Sequence, residues 1–142
     1  MVISRAAGFG GLVLGAALLL SLELSGPSPR VADAQAPWVA PAPDKAKKNP
    51  LPSDKKTIEQ VEKVAKINCA SCHGAKGKGD GAAAAALNPK PADWTSKRVQ
   101  DEPDGEIFWK ITTGRGAMPA WRHLPENDRW AVVRYIRTLA AK

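Results

Sequence analysis

The chain has 142 residues, 44% hydrophobic and 25% charged, with 21 Lys and Arg against 14 Asp and Glu and a formal charge of +7. That length suits one domain. The charge favours acidic partners or an anionic surface, and no nucleic-acid motif accompanies it.

Arg5 is the only charge before Glu23, and Ala6 to Leu22 is an uncharged, mostly apolar run. Ala32-Asp33-Ala34 then offers a small-x-small cleavage site. Residues 1–34 therefore read as a secretory signal peptide, which sends the chain to the periplasm. The alternative is an uncleaved membrane anchor. A spanning helix needs roughly 20 apolar residues, and this run falls slightly short, so a membrane is expected only if cleavage fails. Cleavage removes Arg5, Arg30, Glu23 and Asp33 and leaves the formal charge at +7.

Residues 35–53 hold Pro37, Pro41, Pro43, Pro50 and Pro52 with Lys45, Lys47 and Lys48. This composition predicts an extended or flexible arm. Trp38 either docks on the folded part or rides on a solvated tether. Residues 54–142 form the expected domain. Thr57 and Gln60 resemble a capping box, and Ile58, Val61, Val64 and Ala65 follow at helical spacing, which predicts a helix over 57–69. Gly74, Gly77, Gly79 and Gly81 forbid a stable helix in the next segment. The Ala82–Leu87 run can make a short helix that Pro89 and Pro91 end. Asp104 is placed to cap a helix over 105–113, and Gly114 to stop it. A tight loop over 114–121 precedes a last helix over 126–140, where Val132, Tyr135, Ile136 and Leu139 form one apolar stripe. No repeat and no convincing strand is found, so the fold class is all-α. A domain of about 90 residues buries only some 60–65% of its unfolded-chain surface, and a large apolar cofactor would complete its core.

The two cysteines are Cys69 and Cys72, and His73 follows them. A pair so close together makes a redox motif rather than a structural staple. Cys-x-x-Cys-His is the attachment motif of a c-type haem. On a helical turn, residues three and four apart share a face, so both thiols can reach one porphyrin edge while His73 reaches its iron. The competing readings are a surface disulfide beside an unrelated histidine, and a zinc site that enlists His123 at spacings unlike the common zinc modules.

Apart from Met1, the only methionine is Met118, inside Gly114-Arg115-Gly116-Ala117-Met118-Pro119-Ala120-Trp121. Pro119 disfavours helix at Met118 and stiffens the loop. Met118 reads as the second axial ligand, against the alternative of core filler. His123 is the rival ligand. Histidine and thioether together leave no vacant iron position, and the thioether raises the reduction potential. His73 should donate its other ring N–H to a backbone carbonyl near Leu87–Pro91. Leu87, Trp94, Phe108, Trp109, Ile111 and Trp121 are candidate haem-wall residues. The metal ligands are thus His73 and Met118, and the cofactor-binding set is Cys69, Cys72, His73 and Met118.

Residues 54–142 resemble the class I monohaem c-type cytochromes of bacteria. The resemblance rests on Cys-x-x-Cys-His-Gly, Gly77-Lys78-Gly79-Asp80-Gly81, Leu87-x-Pro89-x-Pro91, Gly105 to Trp109, Gly116-x-Met118-Pro119 and the closing helix with Trp130 and Tyr135. It implies three to five helices around one covalent haem c, His/Met ligation and periplasmic electron shuttling. One departure stands out. Val61 and Ala65 occupy places where family members often carry a glycine and an aromatic, which suggests a wider helix crossing with Tyr135 packed differently.

The sequence holds no catalytic carboxylate pair, second haem motif or nucleophile constellation. It therefore reads as a monomeric electron carrier rather than an enzyme. Its redox partner proteins would dock through an acidic patch near Lys76, Lys78, Lys90 and Arg115. The alternative is a haem-bearing electron-transfer subunit of a periplasmic or membrane-bound oxidoreductase complex.

Overall fold

The computed structural model describes residues 37–140; the expected signal peptide over 1–34 lies outside the described residues. Among the described residues five α-helices follow in order: α1 (Ala42–Lys45), α2 (Lys55–His73), α3 (Lys97–Gln100), α4 (Asp104–Thr113) and α5 (Glu126–Thr138), with a 3-10 turn at Ala84–Ala86 between α2 and α3. The described residues contain no strand, only an isolated bridge between Arg115 and Met118. The all-α expectation holds. No helix among the described residues is long and apolar enough to cross a membrane.

α2 begins two residues earlier than the sequence suggests and ends four later. Its N-cap is Asp54, which accepts from the Thr57 N–H at 3.0 Å and from the Thr57 hydroxyl at 2.9 Å. A carboxylate one turn upstream displaces the Thr57/Gln60 capping box, because it satisfies the orphan N–H of the first turn. At the other end, nothing in Ala70-Ser71-Cys72-His73 breaks a helix. The turn runs on until Gly74 takes a φ of 80°, open to glycine at little cost. The whole Cys69–His73 motif is therefore helical.

α2 packs chiefly against α5. Val61 and Ala65 are its buried apolar residues, and α5 buries Trp130 to Val133, Tyr135 and Ile136. Tyr135 lies edge-on to Trp94, with ring centroids 6.4 Å apart, and donates its hydroxyl to the Ala75 carbonyl at 3.3 Å. α5 ends at Thr138, two residues short of the predicted end, and the expected Ala82–Leu87 helix shrinks to the 3-10 turn.

Asp104 does not cap α4. Pro103 holds that position, and Asp104 enters the first turn, where Arg137 of α5 reaches it at 2.7 Å. The same guanidinium donates to the carbonyls of Gln100 at 2.9 Å and Val99 at 3.3 Å, and to that of Glu102. Gln100 in turn donates to the carbonyls of Trp94 at 2.6 Å and Ile136 at 2.9 Å. Two side chains thus moor α3 and the α3–α4 junction to α5. The spacing of apolar residues gave no sign of α3, whose four residues hold one buried side chain, Val99.

The described part of the proline-rich segment docks on α4 and α5 at several points. Ala40 is buried. α1 lies on α4 so closely that a Cβ on Gly105 would strike the carbonyl of Asp44 and sit 2.9 Å from those of Lys45 and Lys47. Asn49 donates to the Trp130 carbonyl at 3.0 Å, and Arg134 donates to that of Leu51. The pivotal charge is Glu106, only 4% exposed, with Lys45 at 3.0 Å and Lys110 at 3.2 Å. Proline limits helix length here without preventing close docking.

Burial by itself would raise the Glu106 carboxyl, but the ammoniums of Lys45 and Lys110 outweigh it and hold the group below its ordinary value of 4.5. A folded-state pKa below the unfolded one stabilises the fold above the unfolded pKa, and the benefit is lost as pH falls through the folded value. Glu106→Gln should therefore cost about 2 kcal/mol at pH 7 and much less near pH 3. The difference between wild-type and variant urea midpoints at the two pH values checks this.

Candidate functional site

The last turn of α2 has a supply problem, since its terminal carbonyls lack helical donors. The glycine-rich segment solves it. Ala83 donates to Ser71 at 2.9 Å, Gly81 to Cys72 at 3.1 Å and Gly79 to His73 at 2.8 Å. The chain must pass so close that a Cβ on Gly81 would fall 2.5 Å from the Ala70 carbonyl. The segment then leaves toward Trp94, whose N–H donates to Gly77 at 2.7 Å.

His73 is buried, and its Nδ1 lies 3.0 Å from the Ala92 carbonyl. A carbonyl can only accept, so Nδ1 carries the proton and Nε2 keeps its lone pair for a metal. The acceptor lies one residue beyond the predicted Leu87–Pro91 span. It is a backbone atom with no side-chain signature, so pattern reading could approach it but not name it. The imidazole lies flat on Trp94, with centroids 4.3 Å apart and planes at 21°. Burial pushes its pKa down, against a smaller upward effect of Ala92, which favours the neutral, metal-binding ring.

Cys69 and Cys72 are free and half-buried. Burial pushes the Cys69 thiol up to about 11, with a further upward push from Cys72. Cys69, Cys72 and His73 thus share the end of one helix. Met118 comes from a different element. Its loop is pinned by a reciprocal pair of bonds, Arg115 N–H to Met118 carbonyl at 2.9 Å and Met118 N–H to Arg115 carbonyl at 3.0 Å. Gly114, at φ 63°, turns the chain out of α4, and Trp121 donates to the Ile111 carbonyl at 3.0 Å to close the loop. Met118 and Cys69 are both half-buried against the same core cluster, which includes Trp94, Ile107, Phe108 and Ile111.

Of the other candidates, Phe108 stacks on Trp130 at 3.9 Å and Ile111 is buried, while Leu87, Trp109 and Trp121 are half-buried. His123 is exposed and rests against Trp121 at 5.4 Å. No three His, Cys, Asp or Glu side chains among the described residues gather as a metal cage. The sequence pointed to Trp94 as a wall residue or a propionate donor and gave no sign of its stack on His73, because 21 positions separate the two.

Comparison with known proteins adds an independent view. A family model described as cytochrome c oxidase, cbb3-type, subunit III matches residues 56–136. No curated protein matches the chain. A chain of the solved Kuenenia stuttgartiensis reducing HAO-like protein complex Kustc0457/Kustc0458 superposes with a TM-score of 0.57 at 27% identity, over 65% of this chain and 47% of that one. This chain therefore spans about half the length of that structural relative. The family match starts on the second residue of α2 and stops two residues before the end of α5, taking in both long helices and everything between them. The chain belongs to the family of cbb3-type cytochrome c oxidase subunit III and is a c-type cytochrome.

Proposed function

We propose that this cytochrome carries single electrons between redox proteins outside the cytoplasm, on one haem c bound covalently by Cys69 and Cys72 and ligated by His73 and Met118. The observation that carries the reading is the final turn of α2, which presents two free thiols and an imidazole whose Nδ1 is held by Ala92 and whose Nε2 is left available. This donor set fits an iron porphyrin. When bound, the haem supplies an iron that gains and loses one electron.

The residues of the chain do the positioning. Ala92 fixes the tautomer of His73, and Trp94 fixes its plane. The glycine segment anchors the turn that bears the thiols. The Arg115–Met118 pair holds the loop that offers the thioether. A histidine and a thioether leave no open position for a substrate, which suits a carrier better than an enzyme. Residues 1–34 serve as the export signal in this reading, residues 35–53 as a strap and residues 54–142 as the cytochrome domain.

A second reading is an electron-transfer subunit of a larger oxidoreductase. It draws on the name of the family and on the solved relative, which is a chain of a protein complex. Purification from native extracts with fixed companion polypeptides would favour it over the shuttle.

Acid–acetone should leave the haem on the protein, and intact-mass measurement should find one haem per chain. Extractable haem would refute covalent attachment, and Cys69→Ser should sharply lower the holoprotein yield.

Ferric protein should show the weak long-wavelength band of sulfur-to-iron charge transfer. Met118→Ala should abolish it, lower the potential and admit carbon monoxide to the reduced protein. Ready carbon monoxide binding by wild type would instead indicate a haem enzyme or sensor.

Lys76, Lys78 and Lys90 are exposed and have no ion-pair partner among the described residues, whereas Lys45 pairs with Glu106 and Lys47 with Asp44. Three unpaired lysines thus lie in the segments that follow the motif. Exposed charges are screened over about 8 Å at physiological salt, and steering can accelerate association by about 10- to 1000-fold. The electron-transfer rate with an acidic partner should fall as salt rises, and charge reversal at Lys76 and Lys78 should slow it more than reversal at Lys47 and Lys48. A salt-independent rate would reject electrostatic docking.

A further inference from the structure

Trp38 lies near the start of the described part of the strap. This ring is half-buried, with the Lys110 ammonium 5.6 Å and the Arg115 guanidinium 5.9 Å from its centroid. Lys110 is also held by Glu102 at 2.7 Å and Glu106 at 3.2 Å. Arg115 has no carboxylate partner among the described residues, and its guanidinium lies over the face of Trp38. Arg115 also forms the reciprocal backbone pair with Met118. A continuous set of contacts therefore runs from the strap, through Trp38 and Arg115, to the residue that presents the thioether.

We propose that Trp38 is a positioning residue for Met118, and that the strap restrains the ligand loop by holding Arg115 against its ring. The inference rests on Met118 ligating the iron. The strap suits the task because it is fixed at several points independent of that loop. Ala40 is buried, Lys45 grips Glu106, and Asn49 and Leu51 bond to α5. Opening the loop then requires Arg115 to leave the aromatic face or the strap to lift. A cation over tryptophan at a partly exposed site is worth a factor of about 2 to 5 in such an equilibrium.

The test uses full-chain holoprotein and imidazole as the competing ligand. Trp38→Leu keeps apolar bulk but removes the ring, and Trp38→Phe keeps a ring. Trp38→Leu and Arg115→Gln should each speed imidazole displacement of Met118 from ferric protein about 2- to 5-fold and shift loss of the sulfur–iron band to lower denaturant. Trp38→Phe should stay close to wild type. The double variant should be no faster than Trp38→Leu alone, since that change already removes the Arg115 contact. Far-ultraviolet circular dichroism identifies any variant that has lost the fold, and Trp38→Phe against Arg115→Gln still decides the matter then. Unchanged imidazole kinetics in Trp38→Leu and Arg115→Gln overturn the inference, and so do effects that add in the double variant. A wild-type protein without the sulfur–iron band overturns the Met118 reading and the inference with it.

Discussion

At the end of α2 the carbonyls of Ser71, Cys72 and His73 point past the last helical N–H, and all three receive donors from one returning segment, at Ala83, Gly81 and Gly79. Leaving a buried acceptor without a partner costs about 1–3 kcal/mol, so this triple return does much to hold the motif helical to its final residue. It also dictates composition. A side chain at Gly81 would collide with the carbonyl layer it serves. The same segment delivers Gly77 to Trp94, and Trp94 to the face of His73. Backbone satisfaction, imidazole orientation and core packing are therefore one arrangement seen at three distances from His73.

Around that turn the molecule is tied by a few long polar side chains rather than by a large core. Arg137 and Gln100 together bond five backbone carbonyls and one carboxylate across α3, α4 and α5. Glu106 collects two lysines from opposite directions in sequence. Small domains bury a modest share of their surface, and such cross-links hold short helices that propensity alone would leave frayed. For an electron carrier this has a functional side. Ligands that stay in place through a change of oxidation state need a setting held by several independent contacts; of the two candidate axial residues, His73 ends α2 and Met118 lies in a loop closed by Arg115 and Trp121.

The Cys69–His73 motif, the all-helical class and the two long helices were legible in the residues, because each follows from a local pattern: a fixed spacing, an apolar stripe or a glycine stop. Helix ends were less so. Asp54 replaced Thr57 as the cap, and Asp104 gave up a capping role to meet Arg137, thirty-three positions away. A capping side chain competes among all its reachable partners, and a distant guanidinium leaves no mark on the local sequence.

The sequence by itself determined which groups can bind a haem, since thiol, imidazole and thioether chemistry belongs to side chains whatever their surroundings. Only the tertiary structure decided that the proline-rich segment is a strap, that Ala92 is the acceptor for His73 and that Arg115 leans on Trp38. Each of these joins a backbone atom or a cation to a partner brought near by folding. Periodicity reports how one element faces the core, whereas these contacts depend on how separate elements meet.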